Sequence, residues 1–165
     1  LDDAELPQRI TELLTLHNVP PSQILLEVTE SAVMGKPEAA IRVLRQLADR
    51  GIDLAIDDFG VGQSSFAYLR QFPVSELKID KVFTQRIGDA PEDRTIVRSI
   101  IELGHHLGYK VTAEGVDNAD TLKFLAQVGC DHAQGFLIAR ALPAEAVERM
   151  IDSREWIGIA ERRSA

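Results

Sequence analysis

Ile52-Asp53-Leu54-Ala55-Ile56-Asp57-Asp58-Phe59-Gly60-Val61-Gly62 runs a short apolar strand into two adjacent carboxylates and then into a double-glycine loop. Neighbouring acids repel one another, and a cation between them relieves the cost. The stretch reads as a divalent-metal site at the end of a parallel strand.

Outward from it, helical and strand patterns alternate. Leu6, Ile10, Leu13, Leu14 and His17 recur at helical spacing over residues 2–17, and Asn18 with Pro20-Pro21 stops that helix. A strand is predicted over 24–29 and a helix over 37–50, with Gly51 as its stop. After the strand ending at Asp57, a helix is predicted over 64–71 and a strand over 76–79. A helix over 93–107 and a strand over 110–114 follow. Asn118 caps a helix running to Val128, a fifth strand lies over 131–134, and Pro143 opens a last helix. Nearly every strand looks apolar on both faces, which predicts a parallel sheet buried between helices. One domain over 1–152 and a surface tail over 153–165 are expected.

The 165 residues carry a formal net charge of −8, the wrong sign for wrapping a nucleic-acid polymer. A single cysteine, Cys130, cannot form an internal disulfide, so a reducing cytosol is the simpler expectation. No apolar run reaches the roughly 20 residues that span a bilayer. A membrane tether elsewhere in a longer protein stays compatible with this.

Each strand delivers a polar residue at or near its C-terminal end: Glu27, Asp57 with Asp58, Lys78, Glu114 and Gln134. That edge is where parallel α/β folds bind ligands. A lone acid there is as readily a helix cap or a surface charge; five successive strands with such groups are harder to dismiss. Carboxylates without histidine or thiolate partners favour Mg2+ or Mn2+ over zinc. A carboxylate shared by two ions would build a two-metal site suited to phosphodiester hydrolysis. Lys78 and Asp80 point to one face, as a structural ion pair or as a cation steadying charge on phosphorus.

Other candidates fail. His105 and His106 point about 100° apart on a helix and cannot chelate one ion. Cys130 and His132 read as packed side chains. Asp58-Phe59-Gly60 resembles the kinase metal motif, but the accompanying kinase loops are absent from the sequence. Gly60 to Ser65 by themselves read as a tight turn before a helix.

Taken together, the words Glu27-Val28-Thr29-Glu30, Asp57-Asp58-Phe59-Gly60-Val61-Gly62-Gln63-Ser64-Ser65, Lys78-Ile79-Asp80, Ala113-Glu114-Gly115-Val116-Asp117 and Gln134-Gly135-Phe136-Leu137 closely resemble the EAL family of cyclic di-GMP phosphodiesterases. The resemblance covers about residues 1–151. It implies a TIM-like (β/α) barrel that hydrolyses cyclic di-GMP to linear pGpG in bacterial signalling, with two Mg2+ or Mn2+ ions. Glu27 and Asp57 would hold one ion, and Asp57, Asp58 and Glu114 the second. Glu114 would also be the general base, Lys78 would position the attacking water, and Gln134 would anchor water or ligand. Glu30 would steady the loop after Asp58, which in this family couples dimerisation to metal binding. A homodimer is expected, with residues 66–72 as its contact, and an upstream sensor or diguanylate cyclase domain is compatible.

Three departures stand out. The family's Glu-Ala-Leu strand, its asparagine-bearing strand and the strand before both have no counterpart, so the expectation is the C-terminal two-thirds of the domain, about five of eight strand–helix units, inactive alone. Gln63 stands where the loop usually carries tyrosine. Asp117 replaces a usual glutamate and Ala141 a frequent proline. A non-hydrolysing cyclic di-GMP receptor or dimerisation module is the alternative reading.

Overall fold

The computed structural model describes residues 1, 3–62, 66–88 and 90–153, with the side chains of 66 and 67 left aside. Gln63, Ser64, Ser65 and the tail from residue 154 lie outside the described residues. Five parallel strands form one sheet in sequence order: β1 (Leu25–Thr29), β2 (Asp53–Phe59), β3 (Glu76–Ile79), β4 (Lys110–Ala113) and β5 (His132–Ala133). The helices are α1 (Leu6–Leu16), α2 (Glu30–Gly35), α3 (Pro37–Ala48), α4 (Phe66–Leu69), α5 (Lys81–Thr84), α6 (Pro91–His106), α7 (Ala119–Gln127) and α8 (Ala144–Ser153). Strand, helix, strand with consecutive neighbours is the arrangement of consecutive βα units in a barrel wall.

Local chemistry explains most element ends. Asn118 Oδ1 accepts the Thr121 N–H at 2.8 Å and starts α7 as its sequence predicts. Pro7, Pro37 and Pro91 occupy first-turn positions, where a missing N–H costs nothing. α1 starts later than residue 2 because a turn over its first residues, held by Leu6 N–H to the Asp3 carbonyl, precedes it. α2 and α5 have no counterpart among the predicted elements. Each is a short helix launched directly from a strand end, capped by Thr29 Oγ1 and by Asp80 Oδ1 respectively.

The sheet differs from its sequence expectation in one instructive way: it is apolar on one face only. Leu54, Ile56, Leu77, Ile79, Val111 and Ala113 are buried against the helices, where Leu44, Leu47, Val97 and Ile101 meet them. The opposite face carries Glu27, Asp57, Glu76, Lys78, Thr112 and Glu114, joined to one another by ion pairs and by a 2.5 Å bond from Thr112 Oγ1 to Glu76 Oε1. The acids fell among apolar residues in strands too short to display alternation, so the pattern looked two-sided. Leu69 and Phe72, inside the segment expected to make a dimer contact, are 0% and 3% exposed and belong to the core. No helix among the described residues is long and apolar enough to cross a membrane.

Candidate active site

A parallel strand sends successive side chains to opposite faces, so Asp57 and Asp58 should diverge. They do not, because β2 carries one extra residue. Ile56 pairs with Leu77 and Phe59 with Ile79, leaving two residues of β2 opposite the single Lys78. Ile56 and Phe59 both stay in the core, and the two acids between them are left to the polar face. Asp58 absorbs the irregularity at φ 55°, the left-handed region that aspartate tolerates better than most residues.

The bulge brings carboxylate oxygens of Asp57, Asp58 and Glu114 within 4.8 Å of one another. Beneath them lies Lys78, only 3% exposed, with its Nζ 2.5 Å from Glu114 Oε1, 2.7 Å from Glu27 Oε1 and 3.2 Å from Asp57 Oδ1. Burial by itself would push the Lys78 ammonium toward neutrality. Its hydrogen bonds to Glu114 and Glu27, with the charges of Glu114 and Asp57, outweigh that and hold it well above the usual lysine range. Glu27 therefore meets the three-acid cluster through Lys78 and stands outside the cluster itself.

Asp58 is shifted the other way. Desolvation, then the Asp57 charge, then the Asp80 carboxyl raise it above the ordinary 3.8, and Lys78 only partly compensates. Asp80 is the neighbour that the sequence reading undervalued: it caps α5 and also faces Asp58. Lys78 pairs with Glu27, Asp57 and Glu114, and Asp58 and Asp80 stand beside them, so positive charge is in deficit. Asp57 Oδ1 is buried, and the Lys78 ammonium at 3.2 Å meets it without a well-formed hydrogen bond. Oxygen-only donors converging within 4.8 Å and a charge deficit fit a hard divalent cation. Asp57, Asp58 and Glu114 are the residues that could hold it.

Glu30 stands at the rim, 1% exposed, and its Oε2 accepts the N–H groups of Gly60 at 3.0 Å and Gly62 at 3.2 Å. The contact needs glycine at 62, since a Cβ there would come within 2.9 Å of Glu30 Cδ. The carboxylate ties the start of α2 to the loop that follows Asp58. Gln134 sits past β5, where its backbone accepts from Val116 N–H and donates to the Ala113 carbonyl. With Glu114, Lys81, Asp117 and Phe136 it lines a cavity of about 290 Å³ beside the acids.

The rejected candidates remain apart from this site. His105 pairs with Asp131 at 2.8 Å, while His106 turns back to the Glu102 carbonyl. Cys130 is pushed up to about 11 by burial and bonds the carbonyls of Val111 and His132.

Comparison with known proteins bears on this geometry. The family model of the EAL domain matches residues 1–141. The bifunctional diguanylate cyclase/cyclic di-GMP phosphodiesterase MucR of Pseudomonas aeruginosa is 42% identical over 142 residues, 86% of this chain and 21% of that protein. The solved PaMucR phosphodiesterase in its c-di-GMP complex superposes with a TM-score of 0.86 at 41% identity, over 88% of this chain and 59% of that one. The Klebsiella pneumoniae BlrP1 manganese/cy-diGMP complex at pH 9.0 gives a TM-score of 0.78 at 32% identity, over 84% and 36%. The chain thus spans about a fifth of the length of curated relatives such as MucR.

Proposed function

The chain belongs to the EAL domain family, and on that premise we propose that it carries the metal-ligating and general-base part of a phosphodiesterase that opens cyclic di-GMP to linear pGpG. The observation that carries the proposal is the convergence of Asp57, Asp58 and Glu114 on one spot above a buried Lys78. The names of the relatives support the substrate, and the manganese complex of a solved neighbour supports the class of ion.

When bound, Mg2+ or Mn2+ would neutralise charge on the phosphate and acidify a water, and Asp57, Asp58 and Glu114, with Glu27 beside them, would hold one or two ions. Glu114 is placed to accept the proton from the attacking water. Lys78, fixed by three carboxylates, orients that water and offsets charge gathering on the phosphoryl oxygens. Gln134 and the cavity it lines would receive the nucleotide beside the acids. Glu30 holds the Gly60–Gly62 segment and with it the unusual backbone of Asp58.

The same reading extends to a homodimer and to a sensor or cyclase domain elsewhere in the native protein. The test is incubation of the intact EAL domain, its upstream strands included, with cyclic di-GMP and Mg2+ or Mn2+, followed by chromatography for pGpG. Product formation that EDTA stops is the expected result. Saturable binding of cyclic di-GMP without pGpG would instead assign a receptor.

A further inference from the structure

We infer that Thr84 is a positioning residue for Glu114, supplying the last rung of the β3–β4 ladder from a side chain. The inference rests on the metal-site reading above. Its starting point is an interruption in the sheet. Lys110 N–H donates to the Ser75 carbonyl and Glu114 N–H to the Ile79 carbonyl four residues on, in phase with the two-residue repeat of a parallel pair. In that pattern the Glu114 carbonyl should accept from the N–H of Lys81. The chain instead leaves the sheet at Asp80, whose carboxylate caps Val82 N–H at 2.7 Å and turns Lys81–Thr84 into α5. The Glu114 carbonyl loses its ladder partner.

Thr84 takes the vacated place. It is 0% exposed, and its Oγ1 donates to the Glu114 carbonyl thirty residues away. The hydroxyl has one proton, and the Lys81 carbonyl at 3.1 Å is the more distant acceptor. Gly115 permits the approach: at φ 65°, a Cβ on it would lie 2.4 Å from Lys81 Cβ. Glu114 is therefore pinned on both sides of its Cα, by Ile79 through N–H and by Thr84 through C=O. Glu114 follows the last residue of β4 while the other two cluster acids lie on β2, so a rotation of that peptide moves its carboxylate away from Asp57 and Asp58.

The test compares Mn2+ binding, followed by the electron paramagnetic resonance of free Mn2+, in this chain and in Thr84→Val, Thr84→Ser and Asp57→Asn. Circular dichroism melting reports folding separately. Thr84→Val should bind Mn2+ about tenfold more weakly, as expected when one buried hydrogen bond to the Glu114 peptide is lost, while Thr84→Ser binds like the unchanged chain. Equal binding by Thr84→Val and the unchanged chain overturns the inference and leaves the metal site standing. Equal weakening in Thr84→Ser and Thr84→Val overturns it too, because the methyl packing would then matter and not the hydroxyl. Failure of the unchanged chain to bind more tightly than Asp57→Asn rejects the metal site itself, and the role of Thr84 with it. Should Thr84→Val not fold, the hydroxyl proton of Thr84 in the unchanged chain decides. Slow exchange with water by nuclear magnetic resonance supports the bond, and rapid exchange overturns it.

Discussion

Glu114 presents Oε1 2.5 Å from the Nζ of Lys78, and the lysine is the more deeply buried of the two. The acid is thus held by a fixed positive charge on one side and left open to Asp57 and Asp58 on the other.

Glu114→Gln keeps this shape, since an amide oxygen still accepts from Lys78, but removes the proton acceptor. In the intact domain, hydrolysis of cyclic di-GMP should fall by about 10²- to 10⁴-fold, the usual range for losing a general base. Nucleotide binding, measured by calorimetry, should change little. Undiminished hydrolysis would sink the assignment of Glu114 as base.

Lys78→Met removes the ammonium and leaves Glu27, Asp57 and Glu114 facing one another. Breaking a buried ion pair from one side costs about 3–5 kcal/mol, so the metal-free melting temperature should drop sharply. Millimolar Mn2+ should return part of the loss by replacing the missing charge. A metal-free melting curve that does not move would show that Lys78 is not what holds the acids together.

Glu30→Ala strips two backbone N–H groups of their charged acceptor. About 2–3 kcal/mol of stability should disappear, with faster amide exchange at Gly60 and Gly62 than elsewhere in the chain. Unchanged exchange at both amides would refute the tie.

Asp131 supplies a pH test at the far end of the sheet. Its Oδ2 accepts the Val111 N–H at 2.8 Å and lies 2.8 Å from His105 Nε2. Burial works to raise its pKa, but the hydrogen bonds from His105 and Val111 prevail and bring it below the ordinary 3.8. A depressed carboxylate contributes stability above its unfolded pKa and loses it as pH falls through the folded one. Asp131→Asn should therefore be less stable than the unchanged chain at pH 7, by urea denaturation. That gap should begin to narrow as pH falls past about 3.8, where the unfolded carboxyl takes up its proton, and close below the lower folded pKa. A gap of the same size at pH 7 and pH 3 would reject the linkage.

The sequence is a good guide to the frame of this molecule and a poor one to its joints. β3 spans the residues its apolar run predicts, and α7 begins at its asparagine cap, because short local patterns determine both. Each acid proposed for the site also lies on the expected strand end. What stayed hidden is non-local. Nothing in the spacing of Glu30 and Gly62 announces a carboxylate reaching across thirty-two residues; only the family resemblance points to that tie. Strand alternation argues against Asp57 and Asp58 sharing a face, and only the pairing of β2 with β3 reveals the extra residue. Thr84 is a single hydroxyl among the polar residues Asp80, Lys81, Gln85 and Arg86, and nothing local marks it as the buried one. α2 and α5, at six and four residues, are shorter than helical periodicity can register.

The irregularity in β2 ties the chemistry to the register of the sheet. Deleting either aspartate would restore an even pairing with β3 but forfeit an acid of the cluster. Inserting a residue would keep both acids and turn Phe59 out of the core. Length variation at this strand is closed in both directions, so drift in this region can proceed only by substitution, while the loops between elements stay free to grow.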